Sequence, residues 1–149
     1  MIPKTMKIHR LPTSLALLLL LATGPLFGDS TPLWLVEGDD LPESTLRDTS
    51  GETVPVGTLV EEGPAVLVFY RGGWCPYCQR HLARLRDIED DLRKLGYRLY
   101  AVSPDTPENL RATAGEYEIG YTLLSDSTME TSYLFGLAHE VPPETVASL

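Results

Sequence analysis

The sequence predicts an α/β domain in which helices cover both faces of a parallel or mixed sheet. Two uninterrupted apolar runs, at residues 64–70 and 97–102, are typical of strands buried on both faces. The stretch between them repeats apolar residues every three or four positions, which is the spacing of a long amphipathic helix. Strands that alternate with helices in this way form sheets with helices packed on each side.

The first half of the domain is predicted to contain a small hairpin, a strand and the long helix. Asp-Thr-Ser-Gly at 48–51 predicts the hairpin turn, and 52–56 predicts its second strand. The run at 64–70, which begins after Gly63, is predicted to be central in the sheet. The long helix is predicted to stop at Gly96 and has one apolar stripe: Leu82, Leu85, Ile88, Leu92 and Leu95.

The second half continues the alternation of strands and helices. A strand at 97–102 is followed by a helix for which Thr106 is the predicted N-cap and Pro107 the first helical residue. A brief strand at 123–125 and a short helix at 129–135 complete the predicted elements. Ser-Pro-Asp before Thr106 is explained by helix capping, and no catalytic role is predicted for it.

The first 28 residues have the pattern of an export signal. A basic start precedes a short apolar run at 15–22, which falls short of the roughly 20 residues that span a bilayer. We expect cleavage near Gly28 and export to the periplasm or the extracellular space; an uncleaved segment would be an inner-membrane anchor. The predicted organisation is a signal peptide at 1–28 and one domain at 29–149.

Composition and charge limit the classes of partner. The 149 residues are 43% apolar and 22% charged, which is typical of a single globular domain. The formal net charge is −9, and loss of the signal, which has basic but no acidic residues, makes the remainder more negative. Such a surface repels nucleic acid and anionic lipid, so neither is expected as a partner, and the acidity is explained by solubility.

The chain has two cysteines, Cys75 and Cys78, at the predicted start of the long helix. Backbone amides and the helix dipole lower a thiol pKa at such a position, which predicts Cys75 as the nucleophile. Cys78 lies about one turn later and is predicted to be the resolving thiol of a redox-active disulfide. Four neighbours are predicted to support the pair. Arg71 contributes positive charge, Gly73 belongs to the preceding turn, Trp74 offers a surface for a partner, and Pro76 is the first residue of the helix.

Two other interpretations of the cysteine pair stay open. A static disulfide is compatible with export, although a loop of two residues removes little entropy from the unfolded chain. Half of a zinc site is the weaker alternative, because four ligands are needed and there is no second cysteine pair. No metal and no cofactor are therefore predicted.

Four stretches together resemble the peroxiredoxin-like alkyl hydroperoxide reductase/thiol-specific antioxidant (AhpC/TSA) family of the thioredoxin superfamily. They are Gly-Asp-Asp-Leu-Pro at 38–42, Asp-Thr-Ser-Gly at 48–51, the run through Arg-Gly-Gly-Trp-Cys-Pro-Tyr-Cys at 66–78, and Tyr-Ala-Val-Ser-Pro-Asp at 100–105. The resemblance covers roughly residues 36–138 and implies a thioredoxin-like three-layer sandwich with a central mixed sheet.

The resemblance also implies thiol-dependent redox chemistry with Cys75 at the peroxidatic position. The counterpart of Cys75 attacks a hydroperoxide and becomes a sulfenic acid. The implied partners are a protein dithiol or disulfide, a thioredoxin-like reductant and a hydroperoxide.

The chain departs from the family pattern in two places. Peroxiredoxins carry Pro-x-x-x-Thr-x-x-Cys, and the places that match the proline and threonine are Val68 and Gly72. Relatives also continue beyond the segment that matches 135–138 into a cis-proline loop, a hairpin and a last helix, which we expect the domain to lack.

These observations predict an exported thiol oxidoreductase that cycles Cys75 and Cys78 between dithiol and disulfide. One alternative is a thioredoxin-dependent peroxiredoxin that reduces hydroperoxides through Cys75. The other is a non-catalytic fragment with a static disulfide.

Overall fold

The two long apolar runs form adjacent parallel strands in a computed structural model of the chain, which describes residues 35–142. The strands are paired from Ala65 opposite Arg98 to Phe69 opposite Val102. The predicted signal at 1–28 lies outside the described residues. Within these residues, no helix has both the length and the apolar character needed to cross a bilayer.

The sheet of the described residues has five strands: β1 (Thr45–Arg47), β2 (Thr53–Pro55), β3 (Ala65–Phe69), β4 (Arg98–Ser103) and β5 (Thr122–Ser125). The helices are α1 (Pro76–Lys94), α2 (Pro107–Glu116) and α3 (Glu130–Leu134), and a 3-10 helix at Val56–Val60 follows β2. The strand order is β2-β1-β5-β4-β3, and the sheet is mixed because β1 is antiparallel to both β2 and β5.

Successive residues of β4 pack into two cores on opposite faces of the sheet. Leu99 and Ala101 belong to a cluster that includes residues of α1 and α2, with the buried members Tyr70, Leu82, Leu99, Ala101, Leu110, Tyr121 and Leu123. Tyr100 and Val102 belong to a second cluster, which includes residues of the 3-10 helix: Leu46, Val56, Leu59, Tyr100, Val102 and Leu124. The predicted α/β arrangement with a covered, mixed sheet is confirmed.

The prediction that the strand at 64–70 is central was wrong. As β3 it forms an edge of the five-stranded sheet, and all of its residues are only partly buried. A continuous apolar run indicates that both faces of the strand are covered by other parts of the protein. Whether the strand lies at the edge of the sheet depends instead on how many strands pair with it. Apolar pattern alone carries no information about that lateral neighbour.

The prediction of a single apolar stripe on α1 was also wrong in part. Leu82 is 1% exposed and Leu85 and Leu92 are partly buried, but Ile88 and Leu95 are 47% and 73% exposed. At 3.6 residues per turn, Leu85 and Leu92 lie about 60° and 80° around the helix axis from Leu82, whereas Ile88 and Leu95 lie about 120° and 140° from it and therefore leave the core face.

Side-chain and backbone caps fix the ends of the helices. As predicted, Pro107 opens α2 and the Thr106 hydroxyl accepts a hydrogen bond from the Asn109 amide at 3.4 Å. Helix α3 begins where the buried Asp126 carboxylate accepts bonds from the Thr131 and Ser132 amides at 3.2 and 2.7 Å. A carboxylate at a helix start also meets the positive end of the dipole.

Truncation of Leu110, which is fully buried between α2 and the sheet, should destabilise the fold. We expect Leu110→Ala to lower the free energy of unfolding by about 2–5 kcal/mol, because it leaves a cavity. Leu134→Ala, at a side chain that is 45% exposed, is the matched control and should cost less than about 1 kcal/mol. Urea denaturation measures both, and equal losses would contradict this description of the core.

Candidate active site

Both cysteines lie at the amino end of α1, directly after the turn that leaves β3. Cys75 is the N-cap residue, with an extended backbone, and Pro76 is the first helical residue. Cys75 is 5% exposed, Cys78 is partly buried, and both are free thiols. The structure thus represents the dithiol form of the pair.

Two glycines make the turn before Cys75 possible. The Cys75 amide donates to the Gly72 carbonyl oxygen at 3.2 Å, and Gly72 has a φ of +143°. A Cβ atom on Gly72 would lie 2.5 Å from Nε1 of Trp74, and one on Gly73 would overlap Oγ1 of Thr113. Because neither residue has a side chain, the turn can lie against the Trp74 ring at Gly72 and against α2 at Gly73.

Asp105, which follows β4, holds this turn. The Gly73 amide donates to Oδ2 of Asp105 at 2.7 Å, and the Ser103 hydroxyl donates to the same oxygen at 3.1 Å. Ser125, at the end of β5, donates its hydroxyl proton to the Asp105 carbonyl oxygen at 2.6 Å. On the other side, the Gln79 side-chain amide donates to the Gly73 carbonyl oxygen at 2.6 Å.

The interpretation of Ser-Pro-Asp at 103–105 as helix capping alone was therefore incomplete. Thr106 caps α2, while Asp105 binds Gly73, which is 32 positions earlier in the chain. The sequence contains one usable signal for this contact. An acidic residue lies two positions beyond the end of β4, and β4 is parallel to the strand that leads into the cysteine turn, so both carboxyl ends meet at one edge of the sheet.

The surroundings of Cys75 favour its thiolate. The amide of Cys78, the thiol of Cys78, the amide of Tyr77 and the charge of Arg71 lower the pKa of Cys75, against a smaller opposing effect of burial. The Cys75 side chain makes no capping hydrogen bond at the start of α1. The amides therefore lower the pKa of Cys75 as oriented backbone dipoles of a helix start, together with the neighbouring thiol of Cys78.

Arg71 and Trp74 form the exposed rim of the turn. The guanidinium carbon of Arg71 lies 4.9 Å from the centroid of the Trp74 ring, and Trp74 is 64% exposed. Both residues line a cleft of about 450 Å³ at the carboxyl ends of β3 and β4, which also includes Tyr70 and apolar side chains of Met129 and Leu137. The cleft has room for part of a substrate beside the cysteine turn.

Tyr70 is a residue of this region that the sequence analysis did not single out. It is 9% exposed, and burial raises the pKa of its hydroxyl to about 12, with Asp105 and Cys78 acting in the same direction and Ser103 in the opposite one. In the sequence it is the last residue of an apolar run, and periodicity gives no reason to separate it from Phe69.

Substitution of Gly73 tests the close approach of the turn to α2. Gly73→Ala should lower the free energy of unfolding by roughly 1–3 kcal/mol, because its Cβ overlaps Oγ1 of Thr113. Thr113→Ala in the same chain should restore part of the loss, since that oxygen is removed. Gly115→Ala, where a Cβ meets nothing within 4 Å, is the matched control. A denaturant-based double-mutant cycle without coupling would contradict the geometry.

The lowered pKa of Cys75 predicts a pH dependence for its alkylation. Because the thiolate is the reactive form, the iodoacetamide rate should be half-maximal at a lower pH than for a cysteine in the urea-unfolded chain. Cys78→Ala removes the S–H donor but keeps the amide, so the midpoint should rise and stay below the unfolded value. A midpoint unchanged by unfolding would refute the assigned cause.

Comparison with known proteins places this geometry in a family. Residues 37–147 match the model of the AhpC/TSA family. The chain is 36% identical over 104 residues to peroxiredoxin Bcp of Escherichia coli strain K12, covering 69% of this chain and 65% of that protein. It is 33% identical over 90 residues to chloroplastic peroxiredoxin Q of Gentiana triflora, covering 60% of this chain and 41% of the relative.

The fold agrees with these similarities. The crystal structure of peroxidoxin BcpB from Mycobacterium tuberculosis superposes with a TM-score of 0.66 at 25% identity, covering 70% of this chain and 68% of that one. The thioredoxin-like fold implied by the resemblance is thus confirmed. The chain spans 41% to 65% of the length of the two curated relatives. It belongs to the AhpC/TSA family.

Proposed function

We propose that the protein is a thiol oxidoreductase that cycles Cys75 and Cys78 between dithiol and disulfide. The observation that carries the proposal is the position of Cys75 as N-cap of α1, with a lowered pKa and the Cys78 thiol beside it. Family membership supports the same chemistry.

The exchange reaction takes place in two steps. The Cys75 thiolate attacks one sulfur of a substrate disulfide, a mixed disulfide forms, and the first substrate thiolate leaves and takes a proton. Cys78 then loses its proton and attacks the Cys75 sulfur, which releases the second substrate thiolate. The substrate gains two electrons, and the protein is left with a Cys75–Cys78 disulfide that a dithiol reductant reopens.

Several features support a protein partner for this exchange. The cleft beside the turn has apolar side chains as well as the Arg71 guanidinium, and the exposed Trp74 offers a large contact surface. A thioredoxin-like reductant or another protein dithiol has the required chemistry. The signal-like start supports export as part of the proposal, to a compartment where a disulfide persists.

Reduction of hydroperoxides is the second candidate, and the peroxiredoxin names of the relatives favour it. The thiolate would attack one peroxide oxygen, and the O–O bond would break. The alcohol would depart, and the cysteine would become a sulfenic acid. Attack by the other cysteine would release water and form the same disulfide. Both candidate reactions therefore end in the same oxidised state.

Either cysteine is a candidate for the peroxide step. With the motif cysteine placed on Cys75, Gly72 occupies the threonine position; with it placed on Cys78, Arg71 and Cys75 occupy the proline and threonine positions. The lowered pKa supports Cys75, whereas the partial exposure of Cys78 is compatible with either placement. The position of the sulfenic acid separates the two.

Matched cysteine variants test both candidates in one series. In an insulin-reduction assay, Cys75→Ser should reduce the rate to that of the reductant alone, and Cys78→Ser should accumulate a mixed disulfide on Cys75. Full activity of Cys75→Ser would reject the exchange mechanism. Thr122→Ala, at an exposed residue at the amino end of β5 and thus at the opposite edge of the sheet from the turn, serves as the control for handling and purity.

The same variants then meet a hydroperoxide in a stopped-flow instrument. A peroxidase predicts consumption much faster than by free thiol, and dimedone labelling of the single-cysteine variants identifies the cysteine that becomes a sulfenic acid. A rate equal to that of free thiol would remove the peroxidase candidate and leave disulfide exchange.

A further inference from the structure

The hydroxyl of Tyr70 has no hydrogen-bond partner although it is buried. Within residues 35–142 its oxygen is the one fully buried side-chain nitrogen or oxygen atom without a partner. The backbone is held in place, because the Tyr70 amide donates to the Val102 carbonyl oxygen at 2.9 Å. An unsatisfied buried hydroxyl is unfavourable, because it loses its hydrogen bonds to water and gains none in return, so phenylalanine would be the more stable choice if only packing mattered.

Several polar groups face Tyr70 from the elements packed against it. Ser103 is the last residue of β4, and Asp105 lies two residues beyond it. Tyr121 precedes β5, and Cys78 on α1 packs against the cluster that contains Tyr70. Ser103 donates to Asp105 at 3.1 Å, and Tyr121 donates to the Leu82 carbonyl oxygen at 2.9 Å. Of these neighbours, Cys78 is the one whose sulfur must change charge in the proposed cycle.

We propose that Tyr70 is a positioning residue for Cys78 and donates a hydrogen bond to its sulfur when that sulfur becomes a thiolate. This proposal rests on the proposed function. In the dithiol form the Cys78 thiol helps to lower the pKa of Cys75, and the Tyr70 hydroxyl has no hydrogen-bond partner. Once Cys75 has formed a mixed disulfide with the substrate, Cys78 must ionise and becomes a hydrogen-bond acceptor. The unpaired hydroxyl of Tyr70 can then donate to its sulfur.

Tyr70 acts in this role as a donor and not as an acid. Burial raises the pKa of its hydroxyl to about 12, so the phenol keeps its proton throughout the neutral range. The proton that Cys78 loses passes to the departing substrate thiolate or to solvent. The unpaired hydroxyl of Tyr70 destabilises the dithiol form, and this is offset by its hydrogen bond to the Cys78 thiolate in the second step.

The test isolates Cys78 in a Cys75→Ser background. The pH dependence of iodoacetamide alkylation then reports the Cys78 thiolate alone, and Tyr70→Phe in this background should decrease the thiolate fraction at neutral pH severalfold. Tyr121→Phe is the matched control, because its hydroxyl already donates to the Leu82 carbonyl oxygen. Circular dichroism verifies the fold, and a Cys75→Ala background repeats the comparison if Cys75→Ser does not fold.

Stability provides the second readout. A merely structural tyrosine predicts that Tyr70→Phe destabilises the reduced protein and leaves the Cys78 titration unchanged. The positioning role predicts an unchanged or higher stability of the dithiol form, since a buried unpaired hydroxyl is removed. An unshifted Cys78 titration, or an equal shift with Tyr121→Phe, would overturn the proposal.

Turnover experiments keep this proposal separate from the function on which it rests. With a chromogenic aromatic disulfide, the first thiolate is released by Cys75 and the second by Cys78. Tyr70→Phe in the otherwise unaltered protein should slow the second release severalfold and leave the first unchanged. If the unaltered protein releases neither, the proposed function fails, while the alkylation comparison still decides the role of Tyr70.

Discussion

The hydrogen bond from the Gly73 amide to the Asp105 carboxylate, at 2.7 Å, is the contact on which the arrangement of the site depends. It joins the end of β4 to the turn that leaves β3, and these two strands are parallel neighbours. This turn determines where α1 begins, and Cys75 is therefore the N-cap of the helix. The Gln79 side chain ties Gly73 to α1, whereas the Asp105 carboxylate ties it to the segment between β4 and α2.

The chemistry of Cys75 follows from that placement. A thiol at a helix start meets oriented backbone dipoles, and the neighbouring Cys78 adds an S–H donor, so the pKa of Cys75 falls although the sulfur is buried. Burial alone would act in the opposite direction. The fold thus lowers the free energy needed to ionise Cys75 while it shields the sulfur from solvent. Cys78 is one turn away, where it can form a disulfide with Cys75.

Local patterns predicted much of this structure because the elements depend on local causes. The hairpin around 48–51, the start of α2 at Thr106 and Pro107, and the helix after the cysteines follow from turn residues, caps and period. The edge position of β3 did not follow, since it depends on a lateral neighbour. Nor did the exposure of Ile88, because only the real geometry of α1 shows where the core face ends.

The sequence pointed to the two cysteines and to the glycine turn before them, but not to the distant residues that hold this turn in place. Cys75 and Cys78 attract attention through their spacing, but the contact of Asp105 with Gly73 spans 32 positions. Tyr70 lies within an apolar run, and its unpaired hydroxyl becomes visible only when every neighbouring donor and acceptor has been assigned. Contacts that join distant segments depend on tertiary packing, which residue type and periodicity do not encode.

Redox titration of the purified protein in thiol–disulfide buffers, with mass spectrometry of the alkylated species, tests the central claim most directly. The account predicts a single reversible transition in which both cysteines become blocked to alkylation together, through an intramolecular Cys75–Cys78 disulfide. Two thiols that stay alkylatable across the accessible range would contradict it. So would a disulfide found only between chains or one that does not reopen.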